Sequence, residues 1–347
     1  MSLQNQITEY CDLLDKQGHL TNPGYATHPF WRYNRKKIKA PWHRIKEWDY
    51  YAVLSPERGY GITFTIADLG YIGLAALCWL DFQKKTSRQI ESLSILPMGR
   101  MNLPETSEIG QSQFNSKKLS IHVDVSREVR LISFESNQFE DDKGEKGIKG
   151  KILLSQKEAM DSMVIATSWE ENRKAFYYNR KINCLPAEGR IIIGDTKYDI
   201  TPGTSFGCLD WGRGNWTYKN RWFWGSASGL HEGEPLGWNL GYGFSDRSVA
   251  TENMLFYKNK AHKLDEITFH FDAEDYLKPW KISSSDGRFE MEFTPLLDRN
   301  SAMDFKVIKS IQHQVFGHFS GKVILDDGTE LKVKEFLGFA EDVLNWW

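Results

Sequence analysis

Between Phe206 and Tyr257 the chain sets Asp210, Arg213, Asn239, Glu252 and Asn253 among Trp211, Trp216, Trp222, Trp224 and Trp238. A carboxyl group surrounded by indole rings is desolvated. That raises its pKa and suits it to donate a proton as a general acid. Asp210 is the leading candidate for this role. Glu252, in Thr251-Glu252-Asn253 after a glycine-rich strand pair, is the candidate acid–base partner. The plainer alternative makes both residues structural. Asp210 would then accept backbone N–H bonds in the turn Gly212-Arg213-Gly214 or pair with Arg213, and Glu252 would close a loop in which Asn253 tolerates positive φ.

The same stretch supplies the expected ligand contacts: Trp211, Arg213, Trp216, Tyr218, Trp222, Trp224, Trp238, Asn239 and Asn253. Arg213 and Arg221 are suited to orient an anionic group, or equally to stack on neighbouring rings. The tryptophans fit sugars, polyenes and fatty chains alike. Other chemistries find no pattern. There is no H-E-x-x-H, no C-x-x-C, no phosphate-binding glycine loop and no G-x-G-x-x-G. Gly225-Ser226-Ala227-Ser228-Gly229 resembles a serine nucleophile turn, but Ala227 stands at the nucleophile position. No metal and no cofactor is expected.

What positions these residues is a β-rich chain. Its 347 residues suggest two domains. Aromatics make up 14%, which favours strands over helices. A net charge of −2 gives no general reason to expect nucleic acid or an anionic membrane as partner. No apolar run reaches the length of a membrane span. Four scattered cysteines and no secretion signal point to a cytoplasmic protein with reduced thiols. Residues 2–17 carry apolar positions at helical spacing and predict a short N-terminal helix. A basic, aromatic strap follows, with its rings expected on a barrel and its lysines outward. From Tyr50 onward strand signals recur every 8–15 residues, with hairpin turns at Gly194-Asp195 and Asp327-Gly328, and the charged segment 139–150 reads as a surface loop. Strand candidates run through to Phe305–Ile311, Val315–Phe319 and the hairpin 322–333.

One internal echo gives the architecture. GRIIIGDTKYDI begins at Gly189 and GKVILDDGTELKV at Gly321, each a glycine, a base, apolar β-formers, a turn and a second strand. Downstream, Gly207-Cys208-Leu209-Asp210 matches Gly338-Phe339-Ala340-Glu341, so Glu341 joins the candidate ligand contacts as the counterpart of Asp210. A module closing each half predicts a duplicated antiparallel barrel. The expected division is 1–47 for helix and strap, 48–203 for a first barrel and 204–347 for a second, with Asp210 at the opening of the second.

The run GRIIIGDT, GCLDWGRG, WFWGSAS, GWNLGYGF, TENMLFY resembles an uncharacterised bacterial family catalogued as domain of unknown function 2804. More distantly it is similar to the hydroxyneurosporene synthase and AttH-like proteins. That resemblance implies an all-β fold of two lipocalin-like barrels side by side. It carries over Asp210 with Trp211-Gly212, and Trp222 with Trp224. It departs in that Trp211 directly follows Asp210, where the relatives place two residues between acid and tryptophan. It further implies acid-promoted chemistry on apolar polyenes. The functional expectation is a small, largely apolar, lipid- or isoprenoid-like ligand, with cofactor-free hydration, isomerisation or cyclisation. A non-catalytic carrier and a carbohydrate-binding protein are the alternatives.

Overall fold

The strands follow from side-chain alternation. Phe289–Asp304 opens Phe-Glu-Met-Glu-Phe with buried and exposed positions alternating, as period two requires of a strand with one face in a core. Met163–Ser168 and Phe206–Asn215 are buried at every position. Strands buried on both faces must be packed from both sides, and this one property locates the candidate site. The structure is a computed structural model and describes residues 4–157, 159–304, 306 and 308–347.

Two curled antiparallel sheets lie side by side as two lipocalin-like barrels. The first runs in the order Thr86–Ile95, Ile72–Asp81, Tyr60–Asp68, Ile45–Ser55, Phe206–Asn215, Phe176–Ile193, Lys146–Ser155, Val129–Glu140, Ser120–Val125, Gly110–Asn115. The second runs Lys260–Lys263, Met254–Tyr257, Glu234–Tyr242, Lys219–His231, Glu330–Trp346, Lys309–Ile324, Phe289–Asp304, Trp280–Ser284, Ile267–His270. In each sheet the first long strand pairs with the last, Ile45–Ser55 with Phe206–Asn215 and Lys219–His231 with Glu330–Trp346. Each barrel fills its own interior with apolar side chains. A third cluster, including Tyr50, Ala52, Cys208, Trp224, Phe316 and Phe339, joins the outer faces of the two sheets.

The echo between the halves has a structural counterpart. Gly189 (φ +150°) and Gly321 (φ +156°) occupy matching places, paired with Ile152 and Met291. A Cβ at either would lie 2.1 Å from a backbone oxygen of the neighbouring strand, that of Lys151 or Glu290. Gly189→Ala and Gly321→Ala should therefore each lower unfolding free energy by about 1–3 kcal/mol in urea titrations. A neutral outcome at one site only would remove the equivalence.

Several expectations are corrected. Phe206–Asn215 belongs to the first sheet, between Ile45–Ser55 and Phe176–Ile193, and the second sheet begins at Lys219. Asp210 is thus on the last strand of the first barrel and not at the opening of the second. The expected helix over 2–17 is absent from its described part, residues 4–17; residues 2 and 3 lie outside the described residues. The segment is extended, with Cys11–Asp12 parallel to Trp31–Arg32. Its buried positions are Ile7, Leu13 and Leu14, while Tyr10 is 66% exposed, so packing on the barrel overrides the helical spacing. In the strap Trp31 and Tyr33 are buried as expected, but Lys46 turns inward. Its Nζ donates to the carbonyls of His43 and Leu69, and burial pulls its pKa down to about 7, with Arg44 adding to the shift. Segment 139–150 is a hairpin, since Val129–Glu140 and Lys146–Ser155 pair almost to their ends. Of the expected strand at 305–311, Phe305 and Val307 lie outside the described residues; Lys309 opens the long strand Lys309–Ile324. Among the described residues no helix is long and apolar enough to cross a membrane.

Candidate functional site at the junction of the barrels

Phe176–Ile193 carries two sets of side chains on opposite faces. Tyr178 and Ile182 point into the first barrel's core. Tyr177, Asn179, Lys181 and Asn183 point outward, toward the second barrel. Asp210 lies between Lys181 and Tyr50 in the register of the first sheet. Glu341 lies between Gln314 and Trp224 in the register of the second. The duplicated positions meet face to face, since Gln314 Nε2 donates to Tyr50 Oη at 2.8 Å and to Glu341 Oε1 at 2.5 Å. The Lys181 ammonium sits 3.9 Å from the centroid of the Trp224 ring.

Among the described residues Asp210 is bound by side chains only. Its Oδ2 accepts from Lys181 Nζ at 2.8 Å, and its Oδ1 from Asn179 Nδ2 at 2.6 Å and Trp48 Nε1 at 3.1 Å. The turn-acceptor alternative is thereby excluded, as is pairing with Arg213. Glu252 reaches the same centre from the loop after Glu234–Tyr242: Tyr177 Oη donates to its Oε2 at 3.3 Å, and Lys181 Nζ lies 4.0 Å away. Trp224 Nε1 donates to Asn239 Oδ1 at 2.7 Å, and Asn239 Nδ2 to the Glu252 carbonyl at 2.8 Å. Two glycines make room. A Cβ at Gly212 would lie 2.1 Å from the Trp48 ring, and one at Gly241 would lie 1.9 Å from Glu252 Oε1. The glycines of this stretch admit the indole and the carboxylate that complete the cluster.

The electrostatics follow from three carboxyl groups sharing one ammonium. Lys181 is 4% exposed, Glu252 5% and Glu341 8%. Burial alone would depress the Lys181 pKa, but Asp210 and Glu252 outweigh it and hold the ammonium above its usual value. With Lys181 engaged by Asp210, the other two acids are pushed up. Burial raises Glu252, with Asp210 adding and Lys181 opposing. Burial raises Glu341 to about 7, again with Lys181 opposing and Asp210 adding. Tyr177 is held well above its ordinary range by burial, then by Glu252 and Asp210, so it remains a phenol donor. The site therefore contains an ion pair beside two carboxyls held above their ordinary range, Glu341 at about 7, the separation expected of an acid and a base set by environment.

Of the expected residues, Asp210, Glu252, Trp224, Asn239 and Glu341 come together here. Trp216 and Trp222 form an aromatic wall at one end, with Trp48, Tyr177, Phe244 and Trp347. The others do not join them. Trp211 faces the first barrel's interior and Trp238 the second's. Arg213 is wholly buried inside the first barrel, donating to Asp49 Oδ1 at 3.0 Å and to the carbonyls of Trp48, Gly212 and Pro104. Asn253 holds the backbone of Gly241 and Asp265. Tyr218 is 36% exposed under the Arg44 guanidinium. Arg221 grips Asp342 with two bonds of 2.8 and 2.7 Å at the second barrel's end. Lys181, Tyr177, Asn179, Gln314, Trp48 and Tyr50 were not singled out from sequence. The available signal was the alternation Tyr177, Asn179, Lys181, Asn183: polar residues at period two, against Phe176, Tyr178, Ile182 and Cys184 on the other face, where Arg180 alone breaks the apolar pattern. A concavity of about 740 Å³ on the outside of the first barrel, with His122, Glu135, Lys149, Lys151 and Arg190 in its lining, shares no residue with this cluster.

Fold and site together define a tandem lipocalin-like barrel protein with an acid cluster between the barrels. The chain belongs to the family described as "Domain of unknown function (DUF2804)", whose model matches residues 4–347. No curated protein matches it in sequence. Among solved structures it is similar to kievitone hydratase from Nectria haematococca, with TM-score 0.54, 10% identity, and 87% of this chain and 88% of that chain covered. It is also similar to CghA, solved with Sch210972: TM-score 0.51, 11% identity, 87% of this chain and 88% of that one. A putative AttH from Nitrosomonas europaea aligns with TM-score 0.48 at 12% identity, over 86% of this chain and 92% of that chain. At these identities the likeness is one of fold.

Proposed function

We propose that the protein is an enzyme that acts on a small, largely apolar molecule by cofactor-free acid–base chemistry at the junction of the barrels. The observation that carries this reading is the pairing of the Lys181–Asp210 ion pair with Glu341, held near pKa 7 in the same buried centre. A carboxyl that is protonated at neutral pH donates to a double bond or an oxygen, and the Lys181 ammonium stabilises negative charge that develops beside it. Glu252, also held up, receives or relays the second proton. Asp210 is reassigned from general acid to the counter-ion that fixes Lys181. The walls of Trp48, Trp222 and Trp224 supply apolar contact. Among the described residues Asn179 Oδ1 and Trp216 Nε1 are buried polar atoms without a hydrogen-bond partner, as expected where a bound molecule completes the set. Asp210 keeps 10% of its side chain accessible, so the centre is not sealed. The word hydratase in the name of one structural neighbour fits addition of water as the reaction type. The four free cysteines, three of them buried, fit a reducing compartment, and we place the protein in the cytoplasm.

The test needs no known substrate. Apolar extracts of the source cells are incubated in D2O with the protein, and masses are compared. Protein-dependent deuterium uptake or gain of water is expected with the wild type and at least tenfold less with Glu341→Gln, given the usual contribution of a positioned acid. Equal uptake by the wild type and Glu341→Gln, or none with either, would sink the proposal.

A further inference from the structure

The face of Phe176–Ile193 opposite Lys181 poses a separate electrostatic problem. Arg180 points into the first barrel and is 2% exposed; Arg130, on Val129–Glu140, is 1% exposed. Both converge on Ser107. Arg130 Nη2 donates to the Ser107 carbonyl at 2.7 Å, and Arg180 Nη1 to Ser107 Oγ at 3.2 Å. Their other partners are also neutral: Tyr51 Oη and Gln156 Oε1 for Arg130, and Ser162 Oγ for Arg180. Among the described residues neither guanidinium is ion-paired with a carboxylate; Glu108 acts on Arg180 only through its field. The contrast with Arg213 in the same interior is direct, because that guanidinium has Asp49 at 3.0 Å and Glu47 at 3.9 Å.

Two like charges buried side by side without a counter-ion are strongly unfavourable. The Arg180 pKa shows the strain. It is lowered to about 10, with burial the largest cause and Arg130 the next. Arg130 Nε is moreover a fully buried donor without an acceptor among the described residues. Neutral carbonyl and hydroxyl oxygens now stand where the oxygens of an anion would neutralise the pair. We propose that the interior of the first barrel holds a site for an oxyanion, a carboxylate or phosphate group, gripped by Arg130 and Arg180.

Geometry supports the choice of ligand and a way in. Planar guanidinium forks match carboxylate and phosphate oxygens better than halide. Ser107 belongs to the segment between Thr86–Ile95 and Gly110–Asn115, the two strands at the open ends of the first sheet. Leu96, Met98 and Asn102 in this segment all adopt positive φ near 50°, a strained conformation for non-glycine residues. The segment also carries exposed Leu96, Met98 and Ile109. Residues 96–109 form no strand, and through Ser107 they touch both guanidiniums, so this segment is the part of the wall whose displacement would open a path to them. The site is independent of the junction chemistry, since Arg180 and Lys181 project to opposite faces of one strand.

The experiment is a thermal unfolding series with sodium decanoate and with inorganic phosphate, each against sodium chloride at equal ionic strength. The wild type should gain about 4 °C at a hundredfold excess of probe over Kd. The gain should vanish in Arg130→Met/Arg180→Met, whose basal stability should equal or exceed that of the wild type. A gain with decanoate alone assigns a carboxylate-headed amphiphile, and one with phosphate alone a phosphate ester or free phosphate. If the double variant does not fold, nitrogen-15 NMR of the wild type reads the same event, because the Arg130 Nε–H resonance moves with the bound probe and not with chloride. No gain beyond chloride with either probe, or a gain retained in the double variant, overturns the site.

Discussion

Lys181→Met should lower the stability of the protein by about 3–5 kcal/mol at pH 7, the effect of removing one partner from a buried ion pair. The substitution preserves volume and removes the cation that pairs with Asp210 at 2.8 Å, lies 4.0 Å from Glu252 and, together with Arg299, opposes the upward shift of Glu341. It also removes the contact over the Trp224 ring. Desolvation without compensation sets the magnitude, because at 4% exposure water cannot replace the ammonium. The informative comparison is the pair Lys181→Met/Asp210→Asn. With both charges gone, Asn179 and Trp48 still reach the amide that replaces the carboxylate, and most of the lost stability should return. Urea titrations of the four proteins in this cycle give the coupling. A loss below about 1 kcal/mol for Lys181→Met would mean that the cluster is solvated, and the dry-junction picture would fall.

That cycle also separates function from architecture. A cluster retained to lock the barrels contributes stability through its charge pair, so neutral replacements fall short of it. A reactive cluster is retained despite its instability. If the double variant equals or exceeds the wild type in stability while the D2O exchange is lost, the carboxylates are there for chemistry.

The legible part of this fold was local. Alternation, the Asp327-Gly328 turn and the Gly189/Gly321 echo all act within a few residues, and they suffice for a duplicated all-β architecture. Sheet membership was not legible, because Phe206–Asn215 pairs with Ile45–Ser55, some 160 residues earlier, and no local signal encodes that partner. Misplacing this strand had a direct consequence for the site. On a strand, Asp210 and Arg213 fall on opposite faces by parity, as do Trp238 and Asn239. Read as a glycine-rich turn, the same residues look like neighbours. The three glycines that obscured the strand, Gly207, Gly212 and Gly214, face close neighbours: the Leu154 side chain, the Trp48 ring and the Phe176 carbonyl. Asp210 and Glu252 were found because acids among tryptophans are conspicuous, and Glu341 because the internal echo sets it opposite Asp210. Lys181 was not, because a lysine in a strand is ordinarily a solvated residue, and only the second barrel on its far side makes it a buried one.

Glu341→Gln should make the protein more stable at alkaline pH and nearly unchanged at acid pH. The folded carboxyl titrates at about 7, against an ordinary value of 4.5 in the unfolded chain. Between those values the folded state binds the proton and the unfolded state does not, so unfolding free energy falls as pH rises. The stability contributed by the protonated form is fully present below 4.5 and is lost as pH passes through 7. Above pH 8 the ionised Glu341 costs the folded protein about 3 kcal/mol relative to a neutral amide of the same shape. The burial of Glu341 justifies that conversion, and Gln314 Nε2 remains to bond the amide oxygen. Unfolding titrations from pH 5 to pH 8.5 should show the wild-type curve descending and the variant descending less, with a residual slope from Glu252, which is shifted in the same direction. Infrared spectroscopy gives the direct reading: a protonated-carboxyl stretch present at pH 6, bleached through pH 7, and diminished in Glu341→Gln. Parallel pH profiles for the two proteins would place the Glu341 proton in solvent and take the acid out of the proposed mechanism.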